Sequence, residues 1–119
     1  EVSLIDMNNT ENAKVEEGIK ENTSKKLLEE KEYKELKIKN IELKAEGGIS
    51  KLTATIENKS GEDYSGEKVN IVFENKDGTE YARLEAVLPA VDNQKTNEID
   101  AGTTADIANA YNFKIETAE

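Results

Sequence analysis

Residues 68–84 read KVNIVFENKDGTEYARL. Val69, Ile71 and Phe73 alternate with Lys68, Asn70 and Glu74, the period-two pattern of a strand with one buried face. Val72 joins the apolar run. Asn75, Lys76, Asp77 and Gly78 then supply turn chemistry, because Asp and Gly tolerate positive φ, and a second extended run begins at Thr79. The stretch is predicted to be a β-hairpin. It sets the class as mainly β and names no chemistry.

Working upstream, residues 49–57 (ISKLTATIE) alternate cleanly, with Leu52, Ala54 and Ile56 on the inner face and Lys51, Thr53, Thr55 and Glu57 on the outer. Residues 46–48 (EGG) turn the chain before them, and residues 58–66 (NKSGEDYSG) form a polar loop anchored by Tyr64. Residues 36–43 (LKIKNIEL) make the preceding strand. Their apolar parity switches from Leu36 and Ile38 to Ile41 and Leu43, a one-residue slip that predicts a β-bulge at Lys39 or Asn40 and suits a strand crossing between sheets.

Downstream, Leu84, Ala86 and Leu88 continue a buried face until Pro89, which cannot donate to a ladder and marks an edge or a strand end. Residues 90–95 are a loop and residues 96–101 a short strand around Ile99, closed by Gly102. Thr103 and Thr104 are placed to cap one or two helical turns over residues 105–109. Residues 111–116 alternate again, with Tyr111, Phe113 and Ile115 on one face. About six strands separated by turn signals predict an antiparallel β-sandwich, with closure into a barrel as the alternative. Leu52, Ile56, Val69, Ile71, Phe73, Leu84, Phe113 and Ile115 are its expected core.

The N-terminal part has a different composition. Residues 1–11 fit a short strand or a frayed, partly disordered end. Residues 12–33 are rich in Glu, Lys, Ala and Leu, with Asn9 or Thr10 as an N-cap, and predict a lightly apolar helix that breaks near Asn22. Such an arm is either a solvated linker or a helix that binds a partner or a second copy. The expected organisation is therefore a flexible segment with a helical arm over residues 1–33 and an immunoglobulin-like β-sandwich over residues 34–119.

With 119 residues the chain is the size of one domain, and an apolar share of 35% favours a thin, two-layer structure. Its 26 acidic and 16 basic side chains, a formal charge of −10, are interspersed without a basic block. Phosphates or an anionic membrane surface require a positive stripe, so a nucleic-acid partner is not expected. Cysteine, histidine and tryptophan are absent, which excludes disulfides, thiolate or imidazole zinc ligation and Cys or His nucleophile–base pairs. No run of about 18 apolar residues exists to span a membrane. The chain begins at Glu1 without a basic and apolar leader, so it reads as a mature or trimmed chain whose export signal or anchor lies outside it.

Four segments carry a resemblance. They are residues 33–43 (YKELKIKNIEL), residues 55–60 (TIENKS), residues 69–73 (VNIVF) followed by Lys76, Asp77 and Gly78, and residues 104–115 (TADIANAYNFKI). From Tyr33 onward the chain resembles immunoglobulin-like or fibronectin-III-like modules of the FxLYD or DUF4352 kind, found in envelope proteins and lipoproteins of Gram-positive bacteria. The F-x-L-Y-D string is represented here by residues 73–77, FENKD. The resemblance implies an extracellular or cell-surface location, anchored through a segment outside this chain. It implies a protein or cell-wall partner and assigns no catalytic residue, cofactor or metal.

Candidate sites are few. A glycan hydrolase acting through paired carboxylates needs two acids ~5 to 10 Å apart across a cleft, and the acids here fall at outward strand positions or in loops, where solvated charge is expected. A calcium-dependent adhesion module finds oxygen ligands in Glu62, Asp63, Asp77, Asp92 and Asn93, but no D-x-[DN]-x-[DN]-G loop is present and a hairpin turn accounts for residues 75–78. Sequons at Asn8, Asn22 and Asn58 are expected by chance in this composition. Tyr111, opening the last strand, is a candidate corner tyrosine whose hydroxyl bonds back to backbone. The expected function is a non-catalytic envelope module, structural or binding.

Overall fold

The computed structural model describes residues 12–118. The reading of residues 1–11 falls outside them. Strands β1 (Ala13–Glu16), β2 (Ile19–Asn22), β3 (Lys31–Tyr33), β4 (Leu36–Glu46), β5 (Ile49–Asn58), β6 (Glu67–Glu74), β7 (Glu80–Leu88), β8 (Thr96–Thr103) and β9 (Asn112–Thr117) are joined by one four-residue helix, α1 (Lys25–Leu28). All pairings are antiparallel. The first sheet runs β1-β2-β4-β5-β8, with β3 also on β4, and the second runs β7-β6-β9.

The hairpin over residues 68–84 forms as expected from β6 and β7, with Val69 opposite Ala86 and Ile71 opposite Leu84. Its turn is fixed by Asp77, whose carboxylate accepts both the backbone N–H and the hydroxyl of Thr79. The register slips between Phe73 and Glu74. That slip leaves Tyr81 as the extra residue on β7. The parity change in β4 is a bulge too: the β4–β5 register shifts between Lys39 and Glu42, and Asn40 takes φ 55°, a left-handed conformation that Asn tolerates.

One apolar core lies between the sheets. Leu36, Ile38, Ile41, Leu43, Leu52, Ala54, Ile56, Ile99 and Ala101 come from the first sheet, and Val69, Ile71, Phe73, Leu88 and Phe113 from the second. The Phe73 and Phe113 rings stand 6.0 Å apart and tilted, within the range where aromatic pairs attract. Leu84 and Ile115, expected to be buried, are partly buried against the core, because β7 and β9 are the two edges of a three-stranded sheet.

The helical arm expected over residues 12–33 is not formed. These residues make β1, β2, β3 and the single turn of α1. The break falls at Glu17 and Gly18, with φ 53° and 81°, the two positive values of a hairpin turn that a helix cannot contain. Val15 and Ile19, spaced as helix neighbours, instead flank that turn, with Val15 opposite Lys20. Packing outweighs the helix propensity of Ala, Glu and Lys here. The turns of helix expected over residues 105–109 are likewise replaced by an irregular loop, held by side chains from distant strands.

Candidate functional site

That loop, residues 104–111, is clamped from several directions. Lys20 Nζ on β2 stands 3.3 Å from Asp106 Oδ1 and 3.4 Å from Oδ2, and the Lys20 side chain is fully buried. Asn22 donates to the carbonyls of Ala108 and Ala110 while its own carbonyl accepts from Ser24 N–H. Asn109 accepts from the backbone of Asn12, Ser50 donates to the Ala105 carbonyl, and Tyr81 donates to the Asp106 carbonyl. Satisfied buried polar groups of this kind fix one arrangement of a loop that has no ladder of its own. The result ties the N-terminal hairpin to the entrance of β9.

A second knot centres on Asn58, which is fully buried. Its amide donates to the carbonyls of Glu62 and Val91, and its carbonyl accepts from Ser60. Asp63 accepts from the Asn93 backbone, and the Asn93 side chain accepts from Gly61 N–H. The structure therefore brings Glu62, Asp63, Asp92 and Asn93 into one pair of loops, where Asp63 and Asn93 already accept loop N–H groups. Asp77 lies at the other end of β6. No group of three or more potential metal-binding side chains occurs among the described residues.

The sequons at Asn22 and Asn58 prove to be these two structural amides, and Asn8 lies outside the described residues. Tyr111 is half-buried and contributes its backbone, its N–H donating to the Glu74 carbonyl and its carbonyl accepting from Ser24. The tyrosine hydroxyl bonded to backbone at this corner belongs to Tyr81. A tyrosine inside a strand carries no corner signal, so the sequence did not point to it.

The outer face of the second sheet is a ladder of ion pairs. Arg83 pairs with Glu80 and Glu116, and Lys114 with Glu74 and Glu116. Val72 stands between Arg83 and Lys114 in register and is 3% exposed, consistent with cover from their aliphatic stems. Near the entrance to β6, Tyr64 donates to Glu67 at 2.7 Å and Lys34 pairs with the same carboxylate at 3.0 Å. The Tyr64 hydroxyl and the Lys34 ammonium hold Glu67 below its ordinary pKa, against a smaller opposing effect of desolvation. Burial and the Glu67 charge push Tyr64 up.

Three hollows among the described residues open to solvent. One of about 240 Å³ is lined by Lys14, Glu16, Glu17, Ile19, Glu21 and Lys44 on the N-terminal hairpin, and one of about 250 Å³ includes Glu35, Glu62, Asp63 and Tyr64. A third, of about 280 Å³, lies between β3 and β9 and is lined by Ile38, Phe113 and Ile115 with Glu29, Lys31, Glu32, Asn112 and Lys114. Lys31 Nζ sits 4.8 Å from the Phe113 ring centroid. Burial lowers the Lys31 pKa.

β9 is a free edge. Ala118 N–H donates to the Lys68 carbonyl, which sets the alternation: Asn112, Lys114 and Glu116 bond to β6, and the backbone groups of Phe113, Ile115 and Thr117 face away from it. Asn112 Oδ1 is buried and has no hydrogen-bond partner. Thr117 meets the Tyr33 hydroxyl at 2.7 Å across the gap between the sheets. No signal in the sequence marked this edge as different from that of β7.

No helix among the described residues is long and apolar enough to cross a membrane. Compared with protein-family models, curated proteins and solved structures, the chain matches none.

Proposed function

We propose that the chain is a non-catalytic structural or binding module of a cell envelope, built as an immunoglobulin-like β-sandwich. The observation that carries this reading is the shape of the surface: each hollow described above holds at most about 280 Å³ and opens to solvent, below the ~300 to 1,000 Å³ of a ligand site. The carboxylates support it. Glu57, Glu67, Asp77 and Glu80 are each held low by a hydrogen-bonding Lys39, Tyr64, Thr79 or Arg83, whereas a glycosidase acid needs its pKa raised. Placement in an envelope rests on the resemblance of residues 33–119, and a protein or cell-wall component is the partner class it suggests.

The test is made on cells that produce the natural full-length protein. An antibody against this chain should label intact cells as strongly as permeabilised ones, and the purified chain should release no reducing sugar from Gram-positive peptidoglycan. Labelling only after permeabilisation overturns the placement. Sugar release that Glu16→Gln or Glu62→Gln abolishes turns the reading to a hydrolase.

A further inference from the structure

Edge strands of native sheets are usually blunted, because a row of unpaired N–H and C=O groups recruits other chains. The edge of β9 joins three features. Phe113 is only 2% exposed, so the edge lies open at half-buried Ile115 and exposed Thr117. The hollow beside it is mixed, with Ile38, Phe113 and Ile115 flanked by Glu29, Lys31, Glu32, Asn112 and Lys114, and is of the size that takes one or two side chains. Within that lining, Asn112 Oδ1 is a buried acceptor without a donor, an arrangement that costs free energy until a donor arrives.

We propose that the edge of β9 receives an extended peptide segment of a partner protein as a fourth strand of the second sheet. This deepens the binding-module reading and rests on it. Running antiparallel, the segment bonds through the backbone groups of Ile115 and Thr117. Its inner side chains, opposite Phe113 and Ile115, are apolar and lie along the apolar side of the hollow. Its outer side chains, opposite Glu116 and Lys114, are basic and then acidic, giving the order basic, apolar, acidic, apolar from N to C terminus. A donor on the segment satisfies Asn112 Oδ1.

A second copy of the chain fits less well. Pairing β9 with its own mate opposes Lys114 to Glu116 only when centred on Ile115. The dyad then stands about 2.4 Å from β9, half a strand spacing. Helix α1 and strand β3 both lie against β9, so the two copies' α1 and β3 would be forced onto one another. A lone strand meets no such obstacle.

The probe is a fluorescein-labelled ten-residue peptide with a central Arg-Ile-Asp-Val, followed by fluorescence anisotropy. The expected result is saturable binding in the micromolar range, roughly 1 to 100 μM. Thr117→Pro removes an outward N–H and the hydroxyl that meets Tyr33 and leaves the ladder to β6 intact, so the fold persists by circular dichroism while binding weakens by about tenfold or more. Thr117→Val, which loses the hydroxyl alone, binds as the wild type does. Lys114→Glu weakens binding as well, and a peptide carrying Lys in place of its Asp restores it. The proposal is overturned by no binding up to about 1 mM, by equal binding to Thr117→Pro, or by a wild-type dimer in sedimentation that Thr117→Pro dissolves. Loss of peptide binding with intact-cell labelling preserved rejects the edge site alone. Binding by a chain that intact cells do not display rejects the placement alone.

Discussion

Lys20 on β2 and Asp106 in the loop before β9 form an ion pair, Nζ to Oδ1 3.3 Å, with the lysine side chain fully removed from solvent and the aspartate side chain 14% exposed. It joins the first hairpin to the segment that delivers the last strand. An edge strand can present its backbone to a partner only if its ends are held, and this pair, with Asn22 and Tyr81 beside it, holds the N-terminal end of β9.

Removing one member of a buried ion pair costs several kcal/mol. Lys20→Ala should therefore destabilise the chain by about 3 kcal/mol, the lower end of that range because Asp106 keeps some contact with water. Urea unfolding measures it. A loss under about 1 kcal/mol would show that the pair does not hold the loop.

Phe73→Ala should cost on the order of 3 to 5 kcal/mol, because Phe73 is fully buried and packs on Phe113. The same urea experiment checks it, and a cost near that of a surface substitution, about 0.5 kcal/mol, would remove β6 from the centre of the core.

Much of this was legible in the residues from 36 onward. Alternation placed β4 to β7 and β9, and the parity slip between Ile38 and Ile41 located the bulge where Asn40 takes its left-handed turn. Residues 12–33 misled because their composition favours a helix while their positions are decided by distant partners. Lys20 and Asn22 are buried, and nothing in a Lys or an Asn announces burial before Asp106, Ala108 and Ala110 are in place. The free edge was illegible for the same reason: an unpaired strand and a paired one share the same alternation, and only the sheet order separates them.

Two glycines should respond very differently to alanine. Gly66 has φ 85°, and an added Cβ would meet the Leu88 carbonyl oxygen at 2.7 Å and the Ala90 nitrogen at 3.1 Å. Gly78 has φ 89° with open space around it, so it carries only the ordinary left-handed penalty of about 1 to 2 kcal/mol. Thermal unfolding should rank Gly66→Ala well below Gly78→Ala. Equal melting temperatures would mean that the β5–β6 loop shifts to admit the methyl group.

Glu67 gives the stability a dependence on pH. Its folded pKa is depressed below the ordinary 4.5, first by the Tyr64 hydroxyl and then by Lys34, so the folded state binds its proton less readily than the unfolded chain. The contribution is present above about pH 4.5 and is lost as pH falls through the depressed value. Glu67→Gln should flatten the fall in stability between pH 5 and pH 3, each read by urea midpoint. An unchanged slope would assign that fall to other carboxylates.

Amide hydrogen exchange of the free protein, read residue by residue by NMR, tests the account of β9 most directly. The amides of Lys114 and Glu116, bonded to β6, should be protected, while those of Ile115 and Thr117 exchange far faster and become protected when the Arg-Ile-Asp-Val peptide is added. Protection of Ile115 equal to that of Lys114 without any peptide would contradict it, because the edge would already be closed.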